Sequence, residues 1–207
     1  RLHAYVTVTA EEALKAAKAA EQEILQGNHR GPMHGVPVAV KDQIQTAGIL
    51  TTGGSPVFSN NIPTEDATVI TNLKAAGAVL LGKLNMTEFA TTALSHQFDP
   101  PRNPWDLDRS TGGSSSGSGA ATAAFLCGSA LGEDTGGSVR LPAAWCGLAG
   151  IRPTYGRVSR YGVMPGVRSM DTVGPLARTV ADCAMTLAAI SGRDTKDKMS
   201  SNEPVPD

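Results

Sequence analysis

Residues 112–119 read Gly-Gly-Ser-Ser-Ser-Gly-Ser-Gly, and residues 120–126 continue as Ala-Ala-Thr-Ala-Ala-Phe-Leu. The first eight residues taken alone have the composition of a linker. The residues that follow do not. Small residues at helical spacing make Gly117–Leu126 a tightly packed helix, and Ala130–Leu131 starts a short apolar strand. A flexible linker is not embedded between packed elements, so the Gly/Ser run belongs to a folded core. A second glycine loop, Asp134-Thr-Gly-Gly-Ser-Val-Arg140, follows that strand. Glycines let backbone approach a ligand closely and aim N–H groups at it.

The same alternation extends in both directions. Thr9-Ala-Glu-Glu12 has the form of a capping box and opens a helix that runs to Gly27-Asn28. Val36-Pro-Val-Ala-Val40 reads as a short strand buried on both faces, and Lys41 closes it. Thr51–Pro63 is turn-rich loop. Asp66–Ala76 reads as a helix with Val69, Ile70 and Leu73 inward, stopped by Gly77, and Ala78–Leu81 as another buried strand. Pro142–Gly150 is small and apolar. Thr179-Val-Ala-Asp182 caps a last helix through Ile190, ended by Gly192. Helices alternating with short apolar strands predict an α/β fold, a sheet with helices on its faces.

The whole chain sets the limits. Its 207 residues suit one domain with a real core. A net charge of −1 exerts no pull toward nucleic acid or acidic membranes. No apolar run approaches a membrane span, and the start, Arg-Leu-His-Ala-Tyr, lacks signal-peptide architecture. Cys127, Cys146 and Cys183 form no C-x-x-C pair and read as reduced core thiols, which predicts a cytoplasmic location. The chain begins at Arg1 and ends in the polar stretch Ser200-Ser-Asn-Glu-Pro-Val-Pro-Asp207. Both ends read as cut, giving the expectation of a segment of a longer polypeptide.

Several serine chemistries can be tested on the residues. Gly113-Ser114-Ser115-Ser116-Gly117 fits G-x-S-x-G, but that elbow needs a later histidine. The histidines, His3, His29, His34 and His96, all precede it. No serine has a lysine three positions on, so the S-x-x-K motif is absent. Gly77-Ala-Val-Leu-Leu-Gly-Lys83 resembles a phosphate loop but lacks the Ser or Thr that holds magnesium, and it reads as turn, strand and turn. No histidine or cysteine spacing suits a metal, so neither metal nor cofactor is expected. Lys41 and the serines of the two glycine loops remain. A serine nucleophile needs a base, and a lysine at the end of an apolar strand qualifies because burial lowers its pKa. Spacing alone leaves this site and a solvated lysine beside a plain loop both open.

The motifs together resemble the amidase signature family. Gly112–Gly119 and Asp134-Thr-Gly-Gly-Ser-Val-Arg-Leu-Pro-Ala-Ala-Trp-Cys-Gly147 look like its signature block. His34-Gly-Val-Pro-Val-Ala-Val-Lys-Asp42 resembles its lysine segment. Asp66-Ala-Thr-Val, Gly77–Phe89, Asn103-Pro-Trp-Asp-Leu and Gly174–Asp182 are similar too, so the likeness runs along nearly the whole chain in order. It implies the family's fold, a mixed β-sheet covered by helices on both faces. Here residues 1–207 would be one amidase signature domain, incomplete at its C-terminus. It also implies a Ser–cis-Ser–Lys triad. By position the nucleophile is Ser138, the cis-serine entered by a cis peptide bond is Ser114, and the base is Lys41. The N–H groups of Thr135, Gly136, Gly137 and Ser138 would form the oxyanion hole, supported by Gly112, Gly113, Ser115, Asp134 and Arg140. The family usually reads Gly-Gly-Ser-Ser-Gly-Gly; here Ser116 stands in the fifth place, adding a side chain among three adjacent serines.

The resemblance implies hydrolysis of a small-molecule amide, carbamate or ester through a serine acyl-enzyme. It covers free amidases and the glutaminase subunit of a tRNA-dependent amidotransferase. Pro153-Thr-Tyr-Gly-Arg-Val-Ser-Arg-Tyr-Gly162 resembles the latter, and Val163-Met-Pro-Gly-Val-Arg-Ser-Met-Asp171 the former. The expectation is a free amidase, with a homodimer allowed and nucleic acid entering only through the amidotransferase alternative. A non-catalytic binding protein on this scaffold is the other alternative.

Overall fold

In a computed structural model, residues 1–91 and 96–205 are described. In chain order the elements are β1 (Tyr5–Val8), α1 (Ala10–Leu25), β2 (Pro37–Lys41), α2 (Thr68–Ala75), β3 (Val79–Leu84), α3 (Ser116–Ala123), β4 (Ser129–Asp134), α4 (Arg140–Trp145), β5 (Ala149–Gly150), β6 (Thr172–Ala177) and α5 (Val180–Ile190). The strands form one sheet in the order β1-β3-β2-β4-β6-β5. β2 pairs parallel with both β3 and β4, whereas β1–β3, β4–β6 and β5–β6 are antiparallel. The sheet is therefore mixed, as the amidase signature resemblance implies.

The alternation of β2 explains the layers. Successive strand residues point to opposite faces. Val38 and Val40 pack with Val69, Ile70 and Leu73 of α2, Leu131 of β4 and Ile190 of α5. Ala39, between them, packs with Ala120 and Ala121 of α3, Ala130 of β4 and Leu84 of β3. Both faces are thus covered by helices, and the apolar run in β2 needs no polar residue until its end. Lys41 shares the parity of Ala39, so its side chain leaves the sheet on the α3 face. The small residues of α3 let that helix sit close to the sheet. A Cβ at Gly117 would lie 2.5 Å from the Asn85 nitrogen, so only glycine allows this approach.

Several local expectations change. Thr9 precedes α1, but its hydroxyl donates to the Leu80 carbonyl (3.1 Å) instead of capping the helix. Thr179 does cap α5: its hydroxyl oxygen accepts from the Asp182 N–H at 3.1 Å. The strand expected at Ala78–Leu81 continues to Leu84, so Gly82 and Lys83 lie inside β3 and not in a second turn. Lys83 is fully buried and donates to the Ile44 carbonyl and to Thr51 Oγ1 (2.7 Å), with Asp42 Oδ1 at 3.6 Å. Burial pushes Lys83 down to about 8 against the pull of Asp42. These bonds pin the loop that follows β2. Pro206 and Asp207 of the polar tail lie outside the described residues. Among the described residues no helix is long and apolar enough to cross a membrane.

Candidate active site

The site lies where β2 and β4 end and α3 begins. Lys41, the last residue of β2, is fully buried. Its Nζ lies 2.6 Å from Ser114 Oγ, 3.3 Å from the Glu133 carbonyl oxygen and 3.4 Å from Glu133 Oε2. Burial pushes the Lys41 ammonium below the usual lysine range, although Glu133, Asp134 and Asp171 pull it upward. A buried amine in contact with a serine hydroxyl is the arrangement a lysine base needs.

The three adjacent serines have distinct surroundings. Ser114 alone touches Lys41, and the peptide bond between Gly113 and Ser114 is cis. The Ser115 hydroxyl lies 3.3 Å from both the Glu133 carbonyl oxygen and the Glu133 nitrogen, which ties the serine loop to β4. Ser116 Oγ lies 2.9 Å from His96 Nε2 and 3.5 Å from the Asn85 carbonyl, so the side chain in the family's usual glycine place is spent on hydrogen bonds. All three are buried.

The second loop is built around Asp134. Its Oδ1 accepts from the Gly137 N–H (2.7 Å) and from Arg140 Nη2 (3.0 Å), with Arg152 Nε at 3.3 Å. Its Oδ2 accepts from the Val139 N–H (3.1 Å) and from Arg140 Nε (3.1 Å). Burial opposes this charge, but the Arg140 guanidinium and the backbone amides outweigh it and hold the carboxyl below its usual range. The loop therefore curls tightly around one carboxylate. Of the four amides expected to face an oxyanion, that of Gly137 is already engaged by Asp134. Those of Gly136 and Ser138 donate to no acceptor among the described residues. Gly112, with φ +75°, opens the serine loop, and a Cβ there would press on the Leu141–Pro142 backbone at 3.1 Å.

Ser138 is half-buried beside exposed Gly136, on the side of the site open to solvent. Its carbonyl accepts from the Ser115 N–H at 3.2 Å, which brings the two loops together. Its hydroxyl makes no hydrogen bond among the described residues. Lys41 and Ser114 are thus in direct contact, and Ser138 is joined to the serine loop through backbone.

Glu133, which contacts Lys41 Nζ, is a side chain of this site that the sequence alone does not single out. It is buried at the end of β4, next to the second glycine loop. Its one sequence signal is an acid at the end of the small, apolar run Ser129-Ala-Leu-Gly. The three cysteines are free and buried, and burial pushes Cys127 and Cys183 up to about 11 and Cys146 up to about 12. Such thiols are packing groups at neutral pH.

The geometry thus defines a two-sided mixed sheet with a buried lysine in contact with a serine of a Gly/Ser loop. Comparison with known proteins agrees: the family model described as Amidase matches residues 1–207, and the chain belongs to that family. Over all of this chain it is 52% identical to a glutamyl-tRNA(Gln) amidotransferase subunit from Carboxydothermus hydrogenoformans, covering 43% of that protein. Among solved structures, it is 42% identical to a chain of a vestigial protein complex that reveals the evolutionary origins of an s-triazine catabolic enzyme. That match has a TM-score of 0.95 and covers 99% of this chain and 46% of the other. The native peptide amidase from Stenotrophomonas maltophilia matches at a TM-score of 0.92 and 40% identity, over 100% of this chain and 44% of that one. The chain therefore spans less than half the length of the relatives it matches.

Proposed function

We propose that this chain carries the acyl-transfer centre of an enzyme that hydrolyses a carboxylic amide bond, with Ser138 as nucleophile, Ser114 as relay and Lys41 as base. The observation that carries this reading is the 2.6 Å contact of buried Lys41 Nζ with Ser114 Oγ. Neutral Lys41 takes the Ser114 proton, Ser114 takes that of Ser138, and Ser138 Oγ attacks the amide carbonyl. The unengaged N–H groups of Gly136 and Ser138, with that of Thr135, receive the developing oxyanion, each such donor being worth about 3 kcal/mol. The relay returns a proton to the leaving amine, and water cleaves the acyl-enzyme.

The sequence reading favours a free amidase. The curated relatives reverse that preference, since matches at 52% and 51% identity over the whole chain are amidotransferase subunits. We therefore read the chain as part of the glutaminase subunit of a tRNA-dependent amidotransferase, in a reducing cytoplasm that leaves its three thiols unpaired. The likeness to a peptide amidase keeps the free amidase as second reading. Ammonia release from glutamine decides between them. Stimulation by partner subunits and glutamyl-tRNA(Gln) is the expected result. Turnover of a simple peptide amide with no response to those additions would reverse the choice, and Ser138→Ala should be inactive in either case. Release of no ammonia or amine from any amide would favour the non-catalytic alternative.

A further inference from the structure

Among the described residues the amine of Lys41 has three hydrogen-bonding neighbours, and two of them belong to one residue. A neutral amine has two N–H bonds and one lone pair. If the lone pair receives the Ser114 proton, the two N–H bonds must go elsewhere. Among the described residues the Glu133 main-chain oxygen at 3.3 Å and its Oε2 at 3.4 Å are the acceptors within reach. We propose that Glu133 is a positioning residue for Lys41, its carbonyl and carboxyl oxygens taking both N–H bonds and leaving the lone pair aimed at Ser114. In the transfer the Ser114 O–H bond breaks and a third N–H bond forms on Lys41, while Ser114 Oγ takes the proton of Ser138. The ammonium so formed lies against the Glu133 carboxyl, which stabilises it.

Glu133 is itself held on every side. Its Oε2 accepts from Gln43 Nε2 (3.4 Å), whose other N–H goes to the Met164 carbonyl (2.9 Å). Its Oε1 lies 2.9 Å from the Thr135 hydroxyl, which lies 2.6 Å from Asp171 Oδ1. Asp171 is fixed by the N–H groups of Gly166 (2.9 Å) and Val167 (2.8 Å). The charged groups around Lys41 are therefore Glu133 and Asp134 from β4 and Asp171 from the segment before β6, with Arg140 and Arg152 neutralising Asp134. Among the described charged groups, only Glu133 touches the amine.

This inference rests on Lys41 being the base, and its test separates the two claims. The rate of Ser138 phosphonylation by a fluorophosphonate, in which an O–P bond forms and fluoride leaves, is followed against pH in Glu133→Gln, Glu133→Met and Lys41→Met, with folding checked by thermal melting. Glutamine keeps an oxygen for Lys41 and Gln43 and gives an N–H to Thr135, so the plateau rate should stay within about threefold. Losing one negative charge beside the amine should move the acid limb down by about one pH unit or more. Methionine removes the acceptor, so the maximal phosphonylation rate should fall about tenfold or more with the half-saturating probe concentration unchanged. Glu133 variants with the native limb and native plateau, beside an inactive Lys41→Met, would overturn the role of Glu133 alone. A Lys41→Met protein whose Ser138 still reacts with the probe at the native rate would overturn the base reading itself.

Discussion

Lys41→Arg yields a folded protein in which Ser138 acylates about 10²–10⁴-fold more slowly, the loss expected when a general base is removed. Arginine places a charged donor beside Glu133 and Ser114, so the change removes the base while keeping a partner for the buried carboxyl. Guanidinium stays protonated at any working pH and cannot accept the Ser114 proton. Lys41→Ala should be equally slow while binding substrate nearly as well, because the lysine acts on the proton and not on the ligand. The pH dependence follows from the same burial. The amine must be neutral, and burial lowers its folded-state pKa, so the native rate rises with pH through that value and then levels. The sign for stability is parallel. Between the folded and unfolded pKa values the unfolded chain holds a proton that the folded protein lacks, so this lysine disfavours folding less as pH rises. Rates of fluorophosphonate labelling and amide turnover across neutral to alkaline pH check the prediction. Near-native turnover in the arginine variant, or a rate highest in acid, would make Lys41 a structural ion-pair partner of Glu133.

Ser114→Ala is expected to cost a similar factor, for a different reason. Among the described residues Ser114 Oγ is the only serine oxygen in contact with Lys41 Nζ, and it is sealed from solvent. Alanine leaves the amine facing a methyl group, with no path for the Ser138 proton. The neighbouring serines provide the control. Ser115→Ala loses contacts with the Glu133 backbone and Ser116→Ala loses its bond to His96, each worth about 1 kcal/mol of stability. Both should keep measurable turnover. If Ser115→Ala were the inactive variant and Ser114→Ala active, the relay would run through the wrong serine.

The parts of this site that the chain reveals in advance are those fixed by short-range periodicity. β2 is apolar on both faces until Lys41, and period two alone puts that lysine on the face of Ala39, where the small residues of α3 pack. The Gly/Ser run is marked as core by the helix it opens. Motif resemblance, not spacing, singles out Ser114 and Ser138. Glu133 is hidden because nothing local distinguishes a buried acid from an exposed one; its partners Lys41 and Gln43 lie about ninety residues away in the chain. β6 is hidden by its own composition. Thr172-Val-Gly-Pro-Leu-Ala177 holds Gly174 and Pro175, ordinarily signs against a strand. Proline is tolerated because β5 pairs with only Ala177 and Leu176, and the Pro175 carbonyl still accepts from the Ile151 N–H at 3.1 Å. β1 is hidden by the helix signal that follows it, and its pairing with β3 joins residues far apart in sequence. The Thr9 hydroxyl, read as a cap, is claimed by Leu80 in that same region.

The most direct test of the Ser138–Ser114–Lys41 assignment is the site of covalent capture. The protein is treated with a fluorophosphonate or sulfonyl fluoride, digested, and the modified serine located by mass spectrometry. The label should sit on Ser138 alone and be lost in Ser138→Ala, with turnover lost alongside it. Label on Ser115, or full labelling and turnover in Ser138→Ala, would contradict the assignment.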